Sequence, residues 1–258
     1  MPHAATMTPP DTDRATPSRL PLAWLALLLA LVCGLAELSA GPGYRLGWWG
    51  LGAGLKTMQW AAIAAALALL IAVFAFVTAT RRGARHARRV ALAALVLGVI
   101  VVAPPAAMLV QLYRLPRIHD VSTDTENPPR FVAVLPLRQH ARNPVEPDPA
   151  AIAQQRRGYP DLRPARLHLP PAQALQRAEQ VARSMGWEIV DVSPQDLRLE
   201  ATATTLLFGF KDDVVVRVTP QGSGSRVDLR SLSRVGGSDF GANAARIRGF
   251  VDRIEAGE

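Results

Sequence analysis

DVVVRVTPQGSGSRVDLRSLSR, residues 213–234, decides the fold of the C-terminal half of the chain. Apolar residues recur at every second position on both sides of QGSGS, which is the pattern of two half-buried strands joined by a hairpin turn. We predict the strands at Asp213–Thr219 and Arg226–Arg234. Since side chains alternate along a strand, Val214, Val216 and Val218 should face a core, and the charged residues should face the opposite way.

The segments around this hairpin complete a small domain over residues 165–258. Helical spacing predicts one helix that opens at Pro170–Pro171 and ends before Gly186, and another that starts at Ser238 or Asp239. The remaining patterns predict strands at 166–169, 187–192 and 197–204. The fold class is therefore α+β, with the order β-α-β-β-β-β-α, a mostly antiparallel sheet and both helices on one face. We expect the other face to be polar and solvated, with ion pairs between strands.

The N-terminal half contains three long apolar runs, at about 21–40, 55–80 and 90–113. A hydrocarbon core about 30 Å thick requires about 20 helical residues, and lipid leaves no other partner for the backbone, so each run predicts a transmembrane helix. A cleaved signal peptide is the alternative for the first run, but no clear A-x-A site follows it. Glu37 and the pair Pro104–Pro105 could mark a transport path, although an interfacial acid and a simple kink explain them better.

The distribution of charge predicts the topology. Residues 1–113 carry nine basic and three acidic residues, and five of the arginines lie in the link RRGARHARR, residues 81–89. The positive-inside rule places this link and the tail, residues 1–20, in the cytoplasm. The chain is then a multi-pass protein of the cell inner membrane, with its C-terminal domain outside the cytoplasm. Because the basic excess lies in the apolar half, we expect no binding of nucleic acid.

Residues 114–164 contain nine prolines and little apolar periodicity, so we predict an irregular linker there. The alternating oxygens of Asp120, Ser122, Asp124 and Glu126 resemble a calcium loop, but the central glycine and the final glutamate are missing. Turn-forming Asp and Ser side chains explain the same composition. We predict no metal site and no cofactor.

Three separated stretches carry a family resemblance: IHDVSTDTENPPRF at 118–131, GFKDDVVVRV at 209–218 and VDLRSLSRVGGSDFGANAARIRGF at 227–250. Together they resemble the family known as domain of unknown function 1499, over about residues 116–256. The resemblance implies a domain that often follows a few membrane helices. It implies no activity, substrate or catalytic residue.

The best candidate for a ligand site is the stretch from the last strand into the last helix. Free N–H groups at a helix start, with arginines beside them, bind anions. The candidate residues are Arg230, Ser231, Ser233, Arg234, Ser238, Asp239, Asn243 and Arg246. The alternative is that Asp239 itself caps the helix and pairs with an arginine.

A second candidate site lies on the polar face of the sheet: Lys211, Asp212, Asp213 and Arg217. These residues could serve acid–base chemistry only if burial shifted their pKa values. No catalytic motif accompanies them. We therefore expect a membrane-anchored envelope protein whose domain binds a protein partner or an anionic lipid or glycan group. An enzyme of the periplasm is the alternative, and the oligomeric state stays open.

Overall fold

The structure, a computed structural model, describes residues 20–257, so the predicted tail lies outside the described residues except for Leu20. The chain divides into two compact units. The first consists of the residues up to Ala40 together with Gly50–Pro105, and the second consists of Gly41–Trp49 together with the residues from Ala106 onward.

Three long helices begin the described chain: α1, Leu20–Arg45, α2, Leu51–Arg81, and α3, Arg85–Arg114. Each is long and apolar enough to cross a membrane, which confirms the prediction of three long apolar helices. The helices are longer than predicted, because α1 continues through Pro42 to Arg45, α2 begins at Leu51 and α3 begins at Arg85.

Small residues allow the helices of the first unit to approach one another. One face of α2 is buried through Gly54, Ala61, Ala65, Ala68, Ala72, Ala75 and Ala79. At Gly98 of α3, an added Cβ would lie 3.0 Å from the side chain of Leu69. The large apolar side chains, such as Leu28 and Leu70, are exposed instead. This arrangement, with small residues inside and large apolar residues outside, suits helices that are surrounded by lipid.

The second unit is built on one six-stranded sheet, whose strands are β1, Asp120–Ser122, β2, Ala165–Leu167, β3, Glu188–Ser193, β4, Arg198–Thr204, β5, Lys211–Gln221, and β6, Gly224–Ser233. Every pairing is antiparallel, and the order is β1-β6-β5-β4-β3. β2 also pairs with β6, so β1 and β2 share one edge of that strand, at its two ends. The predicted order β-α-β-β-β-β-α is confirmed from β2 onward.

Two helices, α5, Pro171–Ser184, and α6, Ala242–Ala256, cover one face of the sheet. Their apolar stripes meet the valines and leucines that alternate along β5 and β6 in a single core. Within this core the rings of Trp187 and Phe250 stack at 5.4 Å. The helix layer thus agrees with the sequence prediction.

The other face of the sheet is not solvated, contrary to our expectation. Residues 124–147, which we name the cover segment, lie across it. Phe131 and Val134 of the segment pack on Val215 of β5 and Leu232 of β6. The cover segment therefore packs on the two apolar side chains of an otherwise charged face. The charged side chains around them are buried.

The region predicted to be irregular also contains regular elements. Besides β1 it forms a 3₁₀ helix, Leu135–Arg138, and a helix α4, Pro149–Gly158. Asp148 caps α4 by accepting a hydrogen bond from the N–H of Ala150 at 2.9 Å. Gln155 of α4 then bonds to both the N–H and the carbonyl of Ser122, at 3.0 and 2.6 Å, and so fixes α4 to strand β1. These elements depend on partners that are distant in sequence.

Candidate functional site

A layer of charged side chains lies between the sheet and the cover segment, and we name it the ionic layer. Its members are Asp120, Asp124, Arg138, Arg198, Glu200, Asp213, Arg217, Arg226, Asp228, Arg230 and Arg234. Glu200 and Asp213 have no exposed surface. Buried charges persist only when they are paired and hydrogen-bonded, so the partners of each acid decide what the layer can do.

Asp213 lies at the centre of one cluster. One carboxylate oxygen is 2.6 Å from Arg138 and 2.9 Å from Arg234, and the other is 2.7 Å from Arg234. Thr202 also donates to it at 2.8 Å. Two guanidinium groups and a hydroxyl therefore occupy both oxygens, which leaves no lone pair directed at a substrate.

Glu200 fixes the backbone of the cover segment. Its carboxylate accepts hydrogen bonds from the N–H groups of Val132, Ala133 and Val134 at 2.9–3.1 Å, and the Nε of Arg198 lies 2.8 Å away. Successive N–H groups that converge on one anion form a concave binding site for it. Here the anion is supplied by the sheet itself.

A third cluster closes the far end of the layer. Arg217 and Arg226 both contact the carboxylates of Asp124 and Asp228 at 2.9–3.2 Å. Asp124 also accepts the N–H groups of Glu126 and Asn127, as an Asx turn does. The alternative prediction, that Asp side chains form turns in this stretch, therefore accounts for the carboxylate of Asp124. Among residues 20–257 no group of three or more acidic, His or Cys side chains is arranged to hold a metal ion.

Arg230 lies at the base of an open cleft. Asp120 holds its guanidinium in a two-point contact at 2.9 and 2.7 Å, the carbonyl of Val145 accepts from it at 2.5 Å, and the ring of Phe131 lies 5.2 Å from it. The cleft above has a volume of about 650 Å³, within the usual range for ligand pockets. Its lining residues are Glu126, Asn127, Pro128, Arg130, Phe131, Leu135, Val145, Glu146, Pro147 and Arg230.

The eight residues of the predicted anion site do not converge on one point. Arg230 and Arg234 lie in the ionic layer, whereas Ser231 and Ser233 point to the helix layer. The strand alternation used to predict the core also separates these pairs. Each of the predicted arginines has an internal carboxylate partner: Asp120 for Arg230, Asp213 for Arg234 and Asp212 for Arg246.

The helix-layer half of that site forms its own buried network. Ser231 donates to Asn243 at 2.7 Å, Asn243 donates to Ser233 at 3.0 Å, and Arg246 reaches Ser231, Asn243 and Asp212. All of these partners come from the protein itself. This network joins β6 to α6.

The start of α6 is occupied by side chains of the chain itself. Asp239 accepts the N–H groups of Gly241 and Asn243 at 2.8 and 2.9 Å, and Ser238 accepts the N–H of Phe240 at 3.3 Å. Burial raises the pKa of Asp239 above its ordinary value, and the charge of Asp212 adds to this effect. Asp239 takes the place that an external anion would need, as the capping alternative proposed.

The second candidate set is also divided. Asp212 pairs with Arg246 on the helix side, while Asp213 and Arg217 lie on the covered side in different clusters. Lys211 is exposed. None of these four residues lines the cleft. The structure thus brings no two of the proposed acid–base groups together around a common space.

Sequence reasoning missed the cleft and Arg130 at its rim. It also missed Arg138 and Asp120 as partners of charged side chains on the sheet. The run Asp-Val-Val-Val near the start of β5 could have predicted the cover, because strands that are buried on both faces have continuous apolar runs rather than strict alternation. Val215 lies on the face of the sheet that we predicted to be solvated.

The fold and the ionic layer define a class of protein: a small α+β domain, covered on both faces, that follows three helices able to span a membrane. The family model described as protein of unknown function (DUF1499) matches residues 120–254, more than half of the chain. The chain belongs to this family, which confirms the resemblance seen in the sequence. No curated protein and no solved structure matches the chain.

Proposed function

We propose that this chain is a membrane-anchored binding protein of the cell envelope, whose C-terminal domain lies outside the cytoplasm and binds its ligand in the cleft. The ligand presents an anionic group on an apolar or polymeric body, as a protein partner, a lipid or a glycan does. The cleft at Arg230 is the observation that carries this proposal, because arginine and apolar side chains meet there in a space outside the membrane-spanning helices.

The walls of the cleft suit such a ligand. Phe131, Leu135 and Val145 supply apolar surface, and Arg130 is exposed at the rim. Arg130 is not held in any of the clusters of the ionic layer, whereas Arg230 is held by Asp120. Arg230 is therefore a fixed part of the base of the cleft, and Arg130 is the cation that the anionic group of a ligand would contact, beside Glu126 and Glu146 in the same lining.

The internal pairing of the buried acids supports binding rather than catalysis. A general acid or base must be within reach of the proton that it transfers. Asp213 and Glu200 instead direct their oxygens at arginines and backbone N–H groups of the same domain. Their geometry suits a rigid scaffold that holds the cleft open.

The topology part of the proposal rests on the link between α2 and α3. The nine residues 81–89 contain five arginines, and α2 ends at Arg81 while α3 begins at Arg85. With this link in the cytoplasm, a single further crossing by α3 places the chain after it on the other side of the membrane.

Native mass spectrometry of the full chain in detergent tests the binding site. We expect a co-purified anionic molecule, or added glycerol phosphate or glucuronate, to remain bound to the wild type and to Arg253→Ala but to be lost from Arg130→Ala. Arg253 is the matched control, because it is an exposed arginine on α6, far from the cleft in sequence. Equal retention by both variants would exclude the cleft as the anion site.

A further inference from the structure

The loop between β4 and β5 differs from every other turn of the sheet in its composition. It reads TLLFGF, residues 205–210. Leu206 is 92% exposed and Leu207 is 37% exposed. The hairpin turn at the other end of β5 is instead Gly222–Ser223, within a polar stretch. Two adjacent leucines exposed at a hairpin tip are unfavourable in water, and such apolar surface is typical of a contact site.

The loop is held in one conformation. The N–H of Phe210 donates to Oγ1 of Thr205 at 2.8 Å, and the N–H of Thr205 donates to the carbonyl of Phe210 at 2.9 Å. Gly209 adopts a left-handed backbone, with φ of +67°, and its N–H donates to the carbonyl of Thr205 at 3.0 Å. The rings of Phe208 and Phe210 stack at 5.2 Å. Leu206 is therefore presented outward by a rigid support rather than by a loose chain.

A short segment of the same compact unit, Gly41–Trp49, lies against this loop. The ring of Tyr44 lies 6.3 Å from that of Phe208 and 6.2 Å from that of Phe210. Arg45 donates to the carbonyl of Leu206 at 3.0 Å.

The chemistry of that segment is typical of a membrane surface. It directly continues the first apolar run, and its tyrosine, two tryptophans and arginine are the residues that collect at membrane interfaces. At 1.5 Å per helical residue, Tyr44 lies only about 6 Å along the helix beyond Ala40. Tyr44 thus follows closely on the apolar run in the same helix, where interfacial residues collect.

We infer that the β4–β5 loop, residues 205–210, is a lipid-contacting site in which Leu206 and Leu207 insert into the bilayer interface beside Tyr44. The occupant is the lipid surface itself. Amphipathic surfaces with exposed leucine beside an arginine bind at this boundary. The site is independent of the cleft and holds one end of the sheet against the membrane.

Site-specific fluorescence on the full chain in phospholipid vesicles tests this inference. The single cysteine is replaced by Cys33→Ser, and an environment-sensitive NBD label is attached through Leu206→Cys or, as the matched control, through Ser223→Cys. Ser223 is exposed at the opposite end of β5. We expect doxyl-labelled lipids to quench the label at position 206 several-fold more than the label at 223, and aqueous iodide to quench in the reverse order.

Two results would overturn the inference. Equal quenching of both positions by iodide would place the loop in water. Protection of position 206 from iodide without quenching by doxyl lipid would show that a protein surface covers the loop, and a dependence of that protection on the protein-to-lipid ratio would identify a second copy of the chain. Unchanged near-ultraviolet circular dichroism of both labelled variants establishes that they are folded.

Discussion

Glu200 illustrates how a single side chain orders a long stretch of irregular backbone. Its carboxylate has no exposed surface and accepts three consecutive N–H groups of the cover segment, at Val132, Ala133 and Val134. Those N–H groups have neither a strand nor a helix to pair with, so the carboxylate satisfies them instead. The cover segment depends on this residue more than on its own sequence pattern.

Replacing Glu200 by alanine should therefore destabilise the domain strongly. Removal of one member of a buried ionic group leaves its partners unpaired, which costs about 3–5 kcal/mol. We expect Glu200→Ala to lower the midpoint of thermal unfolding in detergent, with Glu188→Ala, at an exposed site of β3, close to the wild type. Similar midpoints for the two variants would contradict the role assigned to Glu200.

The pKa of Asp124 predicts a dependence of stability on pH. Burial alone would raise this pKa, but the N–H groups of Asn127 and Glu126 and the charges of Arg226 and Arg217 outweigh it, so the pKa lies below its ordinary value of 3.8. The folded state thus favours the ionised carboxylate. Its stabilising contribution is complete above the unfolded pKa and is lost as the pH falls through the folded pKa.

Asp124→Asn should measure that contribution. At neutral pH we expect the variant to lose roughly 1.5–3 kcal/mol, the usual range for hydrogen bonds to charged groups. The difference from the wild type should shrink as the pH is lowered below about 4, because the carboxylate of the unfolded wild type is protonated first and that of the folded state follows at lower pH. Unfolding curves recorded between pH 3 and 7 give the comparison, with Asp252→Asn on the exposed side of α6 as the control. A difference that stays constant over this range would exclude an ionised Asp124.

At the scale of elements, the sequence predicted those strands and helices that have a clear local periodicity. The strands and helices from β2 to α6 appear in the predicted order, because alternation and helical spacing arise from burial against one core. Residues 114–164 lack such periodicity, since their contacts are single side chains on distant strands, such as Arg138 on Asp213. Local periodicity therefore could not predict these contacts.

The predicted ligand site failed to converge for a different reason. Arg230 and Ser231 are neighbours in sequence, yet alternation sends them to opposite faces of β6. Proximity in sequence within a strand is therefore poor evidence for a shared site. The cleft contains Arg230 alone of the eight candidates, together with residues contributed by the cover segment.

The cover segment should be necessary for folding. A fragment that starts at Ala165, where we predicted the domain to begin, lacks the backbone partners of Glu200, Arg138 beside Asp213 and Asp120 beside Arg230, and it exposes Val215 and Leu232. We expect a fragment of residues 115–258 to unfold cooperatively, whereas 165–258 alone should aggregate or remain unfolded. Circular dichroism and size-exclusion chromatography of the two fragments provide the measurement, and a stable, monomeric 165–258 would contradict it.

At the scale of the whole molecule, the proposed topology has a direct test. Alkaline phosphatase is active only outside the cytoplasm, so its fusion after Glu258 should give high activity. A fusion within residues 82–84, between α2 and α3, should give low activity, because the arginines there are proposed to stay inside. The reverse pattern would invert the topology and place the cleft in the cytoplasm.

The pairing of Asp120 with Arg230 has a consequence for the evolution of the family. Since either charge left alone in this buried layer is costly, a substitution at one position can persist only when the other changes as well. Members that have lost the arginine should also have lost the aspartate and should carry a neutral pair of similar combined volume. Substitutions within the ionic layer should then be correlated between paired positions in the family. Arg130 at the rim should instead vary independently of the layer, with the ligand.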